Sequence, residues 1–229
     1  MKILICIPTY NLTVSIKTMR SLFNTIQLLE KEGHEVEYVA RSGSHINRVR
    51  NELASLFLQT KFDYCLFIDS DVWNFEKAVP KMIKLQAKVS CCTYPRKEHG
   101  TAGGPPPNCN LTDHAIKAIY EGFTVVPVKH CGGGCLLITR QVLLHMIHEK
   151  DISYNGGSNG FEFPLFDFFQ SFIHNGVYLS EDYGFCQRLA ELNILIACVS
   201  DVPLGHDEYF NSLQYYVKNA KPHHKEDRS

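Results

Sequence analysis

The chain has 229 residues, of which 45% are hydrophobic, and its 23 Lys and Arg against 24 Asp and Glu give a formal net charge of −1. This composition excludes a disordered or fibrous chain, and the near-neutral charge gives no electrostatic basis for non-specific nucleic-acid binding. No apolar run reaches the roughly 20 residues that cross a bilayer, and the stretch before Pro8 is too short for a signal peptide. We therefore expect a cytoplasmic protein without a membrane span.

Strand and helix patterns alternate along the first third of the sequence. The short apolar run at 2–7 predicts a buried strand, and helical spacing over 13–32 predicts a helix that ends at Gly33. The apolar face predicted for this helix consists of Ile16, Met19, Phe23, Ile26 and Leu29.

The same alternation continues through a second and a third strand. A strand is predicted at 36–40, a helix over 46–59 with Ser44 as its N-cap, and another strand over 63–69. The resulting β-α-β-α-β order indicates a Rossmann-like half in which the strands run parallel.

The second half of the sequence is less regular. A helix is predicted near 75–87, a strand at 88–94 and a further helix over 181–192. The runs FTVVPV and CLLIT predict strands on either side of the glycine run at 132–134, and Gly and Pro residues predict a long loop at 95–108.

The domain organisation follows from the length and from the lack of any internal repeat or linker. We expect a single α/β domain over 1–215 and a tail at 216–229.

The sequence contains nine cysteines, and an odd number without a secretion signal argues against a disulfide framework. Most of them lie in apolar runs, where free cysteine behaves as a small buried hydrophobic residue. The alternative is a zinc site, although the sequence has no C-x-x-C pair. Its candidate ligands are Cys91, Cys92, His99, Cys109, His130, Cys131 and Cys135.

The strand predicted at 63–69 leads directly into Asp69, Ser70 and Asp71. In open α/β sheets, ligands bind at the carboxyl ends of the strands. Two carboxylates at positions i and i+2 can share a hard divalent cation such as Mg²⁺ or Mn²⁺, which prefers oxygen ligands. The alternative is that both aspartates only form a turn or cap a helix.

Two further segments carry polar groups with a possible chemical role. Glu181 and Asp182 fall in the first turn of a predicted helix, after Ser180. They either complement the helix dipole or supply a general base. His206 follows a strand-like run, and it is either a structural residue or a metal ligand.

In this order, the segments resemble the nucleotide-sugar glycosyltransferases of the GT-A fold. The likeness is to the small single-domain enzymes of large DNA viruses, including the chlorovirus enzymes that glycosylate capsid protein, and it extends from Ile3 to about Phe210. The segments that carry it are IPTYN (7–11), RVRNELA (48–54), FIDSDV (67–72), TYPRKE (93–98), CGGGCLLITR (131–140), YLSEDYGFCQRL (178–189) and PLGHDEY (203–209). The resemblance implies a GT-A fold, with a Rossmann-like nucleotide-binding half and a mixed central sheet flanked by helices.

The resemblance also implies which residues bind the nucleotide sugar. Pro8, Thr9 and Tyr10 match the segment that holds the base and the ribose. Arg50, with Arg48 nearby, matches the basic residue that reaches the diphosphate or the donor sugar.

The implied metal site lies at the Asp-Ser-Asp segment. Asp69 and Ser70 would lie near the ribose and the metal, Asp71 would bind the metal directly, and Asp69 counts with it as a ligand. His206 matches the metal ligand near the C-terminal end of the family's domain. The implied ion is Mn²⁺ or Mg²⁺.

The implied reaction centre lies between the glycine run and the acidic helix. Gly133 and Gly134 would allow the backbone to approach the sugar closely. Asp182, with Glu181 beside it, matches the acidic motif next to the acceptor. Asp182 is the candidate general base for an inverting reaction; in a retaining reaction it would orient the acceptor.

The function implied is metal-dependent transfer of a sugar from a UDP- or GDP-sugar, with UDP favoured, to a hydroxyl of a glycan or glycoprotein. The loops at 95–110 and 153–168 are the expected acceptor surface. A viral member would work in the host cytoplasm. Two alternatives stay open, namely a sugar-phosphate nucleotidylyltransferase and a non-catalytic module that binds nucleotide sugars or carbohydrate.

Overall fold

The structure is a computed structural model that describes residues 1–96, 107–112, 115–155, 161–206 and 209–211. Most of the loop predicted at 95–108 and all of the tail predicted at 216–229 lie outside the described residues.

The described chain forms helices that lie on both faces of a mixed sheet. The helices are α1 Ile16–Lys31, α2 Ile46–Leu58, α3 Val79–Lys84, α4 Arg140–Glu149 and α5 Glu181–Glu191, with a 3-10 turn at Phe75–Lys77. In none of the described helices is there an apolar stretch long enough to span a membrane.

Nine strands form the central sheet. They are β1 Lys2–Thr9, β2 Glu35–Ser42, β3 Tyr64–Ile68, β5 Val89–Cys92, β6 Cys109–Leu111, β7 Ala118–Tyr120, β8 Phe123–Cys131, β9 Cys135–Thr139 and β14 Ile196–Val199. Their order across the sheet is β2-β1-β3-β9-β5-β14-β8-β6, with β7 also paired to β8.

The remaining strands form three small sheets. A three-stranded sheet joins β4 Val72–Trp73, β15 Leu204–His206 and β16 Tyr209–Asn211. Two antiparallel pairs are formed by β10 Ser153–Tyr154 with β11 Leu165–Phe166, and by β12 Phe172–His174 with β13 Val177–Leu179.

The parallel half confirms the Rossmann-like prediction. β2, β1 and β3 run parallel, with α1 and α2 as their connections. Beyond β3 the sheet becomes mixed, because β9 runs antiparallel to both β3 and β5 while β14 is parallel to β5. The carboxyl ends of β1, β3 and β5 therefore meet at the same edge of the sheet.

Side chains that alternate along the strands separate the core into two layers. On β1, Leu4 and Cys6 face the layer that contains residues of α2, α4 and α5, whereas Ile3, Ile5 and Ile7 face the layer with residues of α1 and α3. β3 follows the same period of two. This double burial explains why both strands read as continuous apolar runs.

The apolar face predicted for α1 is wrong by part of a turn. Ile16 and Phe23 are exposed, and only Leu29 of the predicted face is fully buried. The other buried residues of this helix are Thr18, Ser21, Leu22 and Thr25. Hydroxyl side chains can be buried here because the helix itself binds them: Thr25 Oγ1 donates to the Ser21 carbonyl at 2.8 Å, and Ser15 caps the Thr18 N–H at 3.0 Å.

Other boundaries also differ from the sequence predictions. α2 begins after His45 rather than Ser44, and no side chain caps it. The helix expected near 75–87 is a 3-10 turn followed by the short α3, while α4 was not predicted. The strand expected at 88–94 ends at Cys92, which leaves Tyr94 in the segment after it.

All nine cysteines are buried free thiols, as expected for small hydrophobic residues. Cys131 and Cys186 come within 3.8 Å of each other, and hydrogen bonds from Cys186 and Cys91 lower the pKa of Cys131 to about 5. Within the described part of the chain, no group of three or more His, Cys, Asp or Glu side chains is arranged to hold a metal ion. His99 lies outside the described residues.

Candidate active site

Arg50 is the buried centre of the candidate site, with only 2% of its surface exposed. Its two terminal nitrogens donate to Asp69 Oδ1 at 2.6 Å and to the Gly133 carbonyl at 3.1 Å. Its Nε lies 3.8 Å from Glu181 Oε1. Burial acts to lower the pKa of Arg50, but the carboxylates of Asp69 and Glu181 outweigh it and raise that pKa, so the guanidinium stays charged. One side chain of α2 thus joins the end of β3, the glycine run and the start of α5.

Asp69 is fixed on both its backbone and its side chain. It follows β3 directly, its N–H donates to the Gly134 carbonyl at 3.1 Å, and its carbonyl accepts from Val72 at 3.2 Å. One carboxylate oxygen accepts from Arg50, and the other lies 3.5 Å from the Tyr94 hydroxyl. Asp69 is therefore held in one orientation by two elements other than its own.

Tyr94 is a site residue that the sequence predictions missed. Its hydroxyl accepts from the Gly134 N–H at 2.9 Å, and its ring packs edge-on against His206 with centroids 5.0 Å apart. Burial and the nearby carboxylate of Asp69 raise the pKa of Tyr94 well above its usual value, so its hydroxyl keeps a proton to donate to Asp69. A signal for this role existed in the sequence: Tyr94 follows β5, whose carboxyl end lies at the same edge as that of β3.

The glycine run is required by the side chains that pack against it. A Cβ on Gly133 would lie 2.7 Å from Arg50 Cζ, and one on Gly134 would lie 2.6 Å from Asp69 Oδ2. A Cβ on Gly132 would overlap Asn108 and Tyr94. Real Cβ atoms do not approach other atoms this closely, so a side chain at any of these positions would displace Arg50, Asp69, or Asn108 and Tyr94.

The first turn of α5 brings two carboxylates to the glycine run. Asp182 Oδ2 accepts from the Gly133 N–H at 3.3 Å, while Oδ1 accepts from the Tyr183 N–H at 2.8 Å and from the hydroxyl of Ser180. Ser180 thus binds Asp182 rather than capping the helix backbone. Burial and the neighbouring Asp182 raise the pKa of Glu181, and Arg50 opposes that rise only in part.

Asp71 and His206 form a second cluster beside the first. Strand β15 pairs with β4 so that His206 lies opposite Val72, which brings His206 Nε2 within 3.4 Å of Asp71 Oδ1. His206 Nδ1 lies 2.8 Å from the Pro95 carbonyl, which can only accept, so Nδ1 carries the proton. Nε2 is therefore the nitrogen directed at the carboxylate.

This second cluster fits a divalent cation. An imidazole nitrogen and a carboxylate oxygen lie 3.4 Å apart, and the other ring nitrogen is held by a carbonyl, the arrangement that orients histidine ligands in metal proteins. A mixed nitrogen and oxygen set suits Mn²⁺ better than Mg²⁺, which prefers oxygen alone. Asp69, the third predicted ligand, is instead bound by Arg50 and Tyr94.

The residues predicted to bind the nucleotide lie at the same edge of the sheet. Pro8 and Thr9 end β1, and Thr9 Oγ1 donates to the Arg41 carbonyl at 3.2 Å. Tyr10 is 70% exposed. Arg48 does not accompany Arg50; it points away and pairs with Glu52 at 3.1 Å.

Ser70 contributes through its backbone, because its carbonyl accepts from the Ser15 N–H at 2.8 Å. The structure thus places eight of the predicted residues in two adjoining clusters. They are Arg50, Asp69, Gly133, Gly134, Glu181 and Asp182 in the first cluster, with Asp71 and His206 in the second as the predicted metal ligands.

Comparison with known proteins finds no family description and no curated protein that matches this chain. Among solved structures it is similar to A197 from STIV, with 20% identity, a TM-score of 0.49, and 93% of this chain and 94% of that chain covered. It is also similar to a Drosophila galactosyltransferase mutant in complex with manganese, UDP-Gal and xylobiose, with 12% identity, a TM-score of 0.44, and 98% and 77% covered.

A third similar structure is a glycosyltransferase involved in the glycosylation of the major capsid of PBCV-1, with 12% identity, a TM-score of 0.34, and 70% of this chain and 71% of that chain covered. At these identities and TM-scores, the function has to be inferred from the residues of the site.

Proposed function

We propose that the chain is a metal-dependent glycosyltransferase that moves a sugar from a nucleoside-diphosphate sugar, UDP- or GDP-linked, to a hydroxyl of a glycan or glycoprotein. The observation that carries the proposal is the meeting of two unlike clusters at one sheet edge. In one cluster Arg50 binds the carboxylates of Asp69 and Glu181 and the carbonyl of Gly133. In the other, His206 Nε2 lies 3.4 Å from Asp71 Oδ1.

Asp71 and His206 are the residues that would hold Mn²⁺, with the remaining positions left for water and phosphate oxygens. When bound, the cation supplies a Lewis acid for the diphosphate, which leaves with the electron pair of the anomeric C–O bond. Arg50 keeps Asp69 in place and adds a buried positive charge behind the glycine run. Pro8, Thr9 and Tyr10 lie where the base and ribose would bind, at the carboxyl end of β1.

Asp182 is the proposed general base. The N–H groups of Gly133 and Tyr183 and the hydroxyl of Ser180 fix its carboxylate, so it is oriented before any acceptor arrives. It would accept the proton of the acceptor hydroxyl while that oxygen bonds to the anomeric carbon. Glu181, whose pKa is raised by burial and by Asp182, is a second group able to take up that proton.

The decisive experiment incubates the protein with a panel of UDP- and GDP-sugars and Mn²⁺ and measures the nucleoside diphosphate released. We expect release that depends on Mn²⁺ and that is lost in Asp71→Ala. Asp63→Ala is the matched control, because Asp63 is an exposed aspartate before the opposite end of the same strand β3. Release of pyrophosphate would instead indicate a nucleotidylyltransferase, and donor binding without turnover would indicate a binding module.

The role of Asp182 is tested by Asp182→Asn and Glu181→Gln. We expect Asp182→Asn to lower kcat by at least about a hundredfold with little change in donor affinity, as for loss of a general base. An equal loss of donor affinity and turnover would assign Asp182 to binding. NMR of the product then reports whether the anomeric configuration is inverted, as a dedicated base requires.

A further inference from the structure

A polar cavity of about 520 Å³ lies between α2, α5 and the chain segments next to β10 and β11. This side cavity is separate from the two clusters described above, and its volume is within the range of ligand sites in proteins. The polar side chains that line it and carry the argument below are Asn47, Asn51, Tyr154, Asp167, Gln170 and Arg188.

The walls of the side cavity are fixed by buried hydrogen bonds. Asn51 is 2% exposed; its amide donates to Asp167 Oδ1 at 2.7 Å, and its carbonyl oxygen accepts from the Phe169 N–H at 2.7 Å. Arg188 donates to Gln170 Oε1 at 2.5 Å and to the Asp167 carbonyl. The polar groups are therefore already oriented in the absence of a ligand, which lowers the entropic cost of binding one.

The side cavity adjoins the candidate reaction centre, because the same two helices form both. On α2, the cavity residue Asn51 follows Arg50 directly. On α5, the carbonyl of Gln170 packs against Gly184 in the turn that begins with Glu181, so closely that no side chain fits there. The side cavity therefore lies next to the helix turns that carry Arg50 and Glu181.

Charge balance indicates a neutral ligand. Arg48 pairs with Glu52, and the guanidinium of Arg188 is taken up by carbonyl oxygens and an amide. Asp151 and Asp167 also line the cavity, so an anion would meet two carboxylates and a cation would meet two arginines. Amides, a phenol and carboxylates that are already oriented suit the hydroxyl groups of a neutral sugar.

An aromatic cavity continues from the side cavity. It has a volume of about 510 Å³, and the two cavities share Ser153, Tyr154 and Asn155. Phe161 and Phe163 line it, with ring centroids 5.2 Å apart and an interplanar angle of 67°. Flat aromatic faces next to hydrogen-bonding groups match a chain of sugar rings, which presents apolar C–H faces and polar edges.

We infer that the side cavity and the aromatic cavity together bind a neutral oligosaccharide as the acceptor, with the reacting sugar beside Asn51 and the following sugars along Tyr154 and Phe163. This inference rests on the proposed function for its catalytic part. Binding of the oligosaccharide, however, can be measured without donor or metal, so the two proposals can fail separately.

The test uses saturation-transfer NMR with neutral di- and trisaccharides of glucose, galactose, mannose and xylose at millimolar concentration. We expect at least one series to bind the protein without donor, and trisaccharides to bind more tightly than disaccharides. In Tyr154→Ala and Asn47→Leu we expect affinity to fall at least about tenfold, the loss of roughly 1.4 kcal/mol of binding free energy. Donor hydrolysis with Mn²⁺ should stay unchanged, because neither residue belongs to the two clusters.

Tyr38→Ala is the matched control, since Tyr38 is 51% exposed on β2 and lies outside both cavities. Thermal unfolding of each variant identifies any variant that fails to fold. If Tyr154→Ala fails to fold, Asn47→Leu provides the test instead, because it changes a half-buried position at the surface. The inference is overturned if no neutral oligosaccharide binds, if the cavity variants bind as the wild type does, or if inorganic phosphate competes for the cavity. If oligosaccharide binds but no nucleoside diphosphate is ever released, only the proposed function fails.

Discussion

The two clusters at the sheet edge differ in how their polar groups are hydrogen-bonded and positioned. In the Arg50 cluster, Arg50, Asp69, Tyr94 and the glycine run bind one another inside the protein, and the buried Nε of Arg50 has no hydrogen-bond partner among the described residues, with Glu181 3.8 Å away. The Asp71–His206 pair is positioned by the Pro95 carbonyl and by the pairing of β15 with β4, and His206 Nε2 lies 3.4 Å from Asp71 Oδ1. We therefore expect the first cluster to contribute to folding stability and the second to contribute to ligand binding.

The largest effect on stability is expected when Arg50 is removed, and this substitution tests whether the first cluster stabilises the fold. Arg50→Ala leaves the Asp69 carboxylate, which is 22% exposed, without its cation and empties a buried position, and we expect the free energy of unfolding to fall by about 3 kcal/mol in urea titrations. The control is Arg48→Ala, which removes an exposed arginine paired with Glu52 at i,i+4; Glu52 keeps Arg41 as a partner at 3.7 Å, so stability should change by no more than about 1 kcal/mol. Similar losses in the two variants would show that the Arg50 cluster is not a stabilising network.

The second cluster is tested by two substitutions of His206. Asn can keep a donor near the position of Nδ1 but lacks Nε2, whereas Gln can place an oxygen near the position of Nε2. We expect His206→Asn to lower Mn²⁺ affinity at least about tenfold in electron paramagnetic resonance titrations, and His206→Gln to lower it less. Stability should change little in either variant. Unaltered Mn²⁺ affinity in His206→Asn would remove His206 from the metal site.

Tyr94 contacts both clusters, so Tyr94→Phe tests whether the two clusters act independently. Loss of the hydroxyl leaves the Gly134 N–H without its acceptor, and we expect the free energy of unfolding to fall by about 1–1.5 kcal/mol. The ring that packs on His206 is retained, so Mn²⁺ affinity should be unchanged. Tyr120→Phe, which removes a hydroxyl bonded to the Lys84 carbonyl at the surface, is the control. A change in Mn²⁺ affinity would mean that the two clusters act as one.

The smallest effect concerns His130, which stacks on Tyr183 with centroids 4.9 Å apart. Burial, helped by the charge of Lys129 and by His174, lowers the pKa of His130, and Asp182 opposes this only in part. The unfolded chain therefore takes up a proton at this residue more readily than the folded protein, and stability should fall as the pH drops below about 6.5.

The measurement compares urea unfolding at pH 7.5 and 5.5. We expect His130→Phe, which keeps an aromatic ring on Tyr183, to lose less stability over this range than the wild type does. The control is His148→Phe, because the side chain of His148 is 83% exposed. An unchanged pH dependence in His130→Phe would show that His130 titrates alike in both states.

Much of the candidate site could be predicted because the sequence pattern indicates where the strands end. Asp69 and Asp71 follow an apolar strand, and Glu181 and Asp182 begin an amphipathic helix, so their positions at one edge follow from the topology. The sequence pattern did not indicate which side chains these residues contact. That Arg50 is fully buried, and that Tyr94 binds the glycine run, depend on contacts between segments far apart in the chain.

The same distinction between local patterns and contacts applies to the prediction of the fold. Short continuous apolar runs located β1 and β3, and a period of about 3.6 residues located α2. The buried face of α1 was misplaced because Thr18 and Thr25 can be buried when the helix binds their hydroxyls, which an apolar count does not register.

The pairing of β15 with β4 has a consequence for how the protein is made. Asp71 leaves the ribosome early in synthesis and His206 late, and the strand pair that aligns them forms only once both are present. The Arg50–Asp69 contact can form on a much shorter nascent chain. The Asp71–His206 pair is therefore among the last features to be completed, and a chain that stops before β15 would lack it although the Arg50–Asp69 contact can already form.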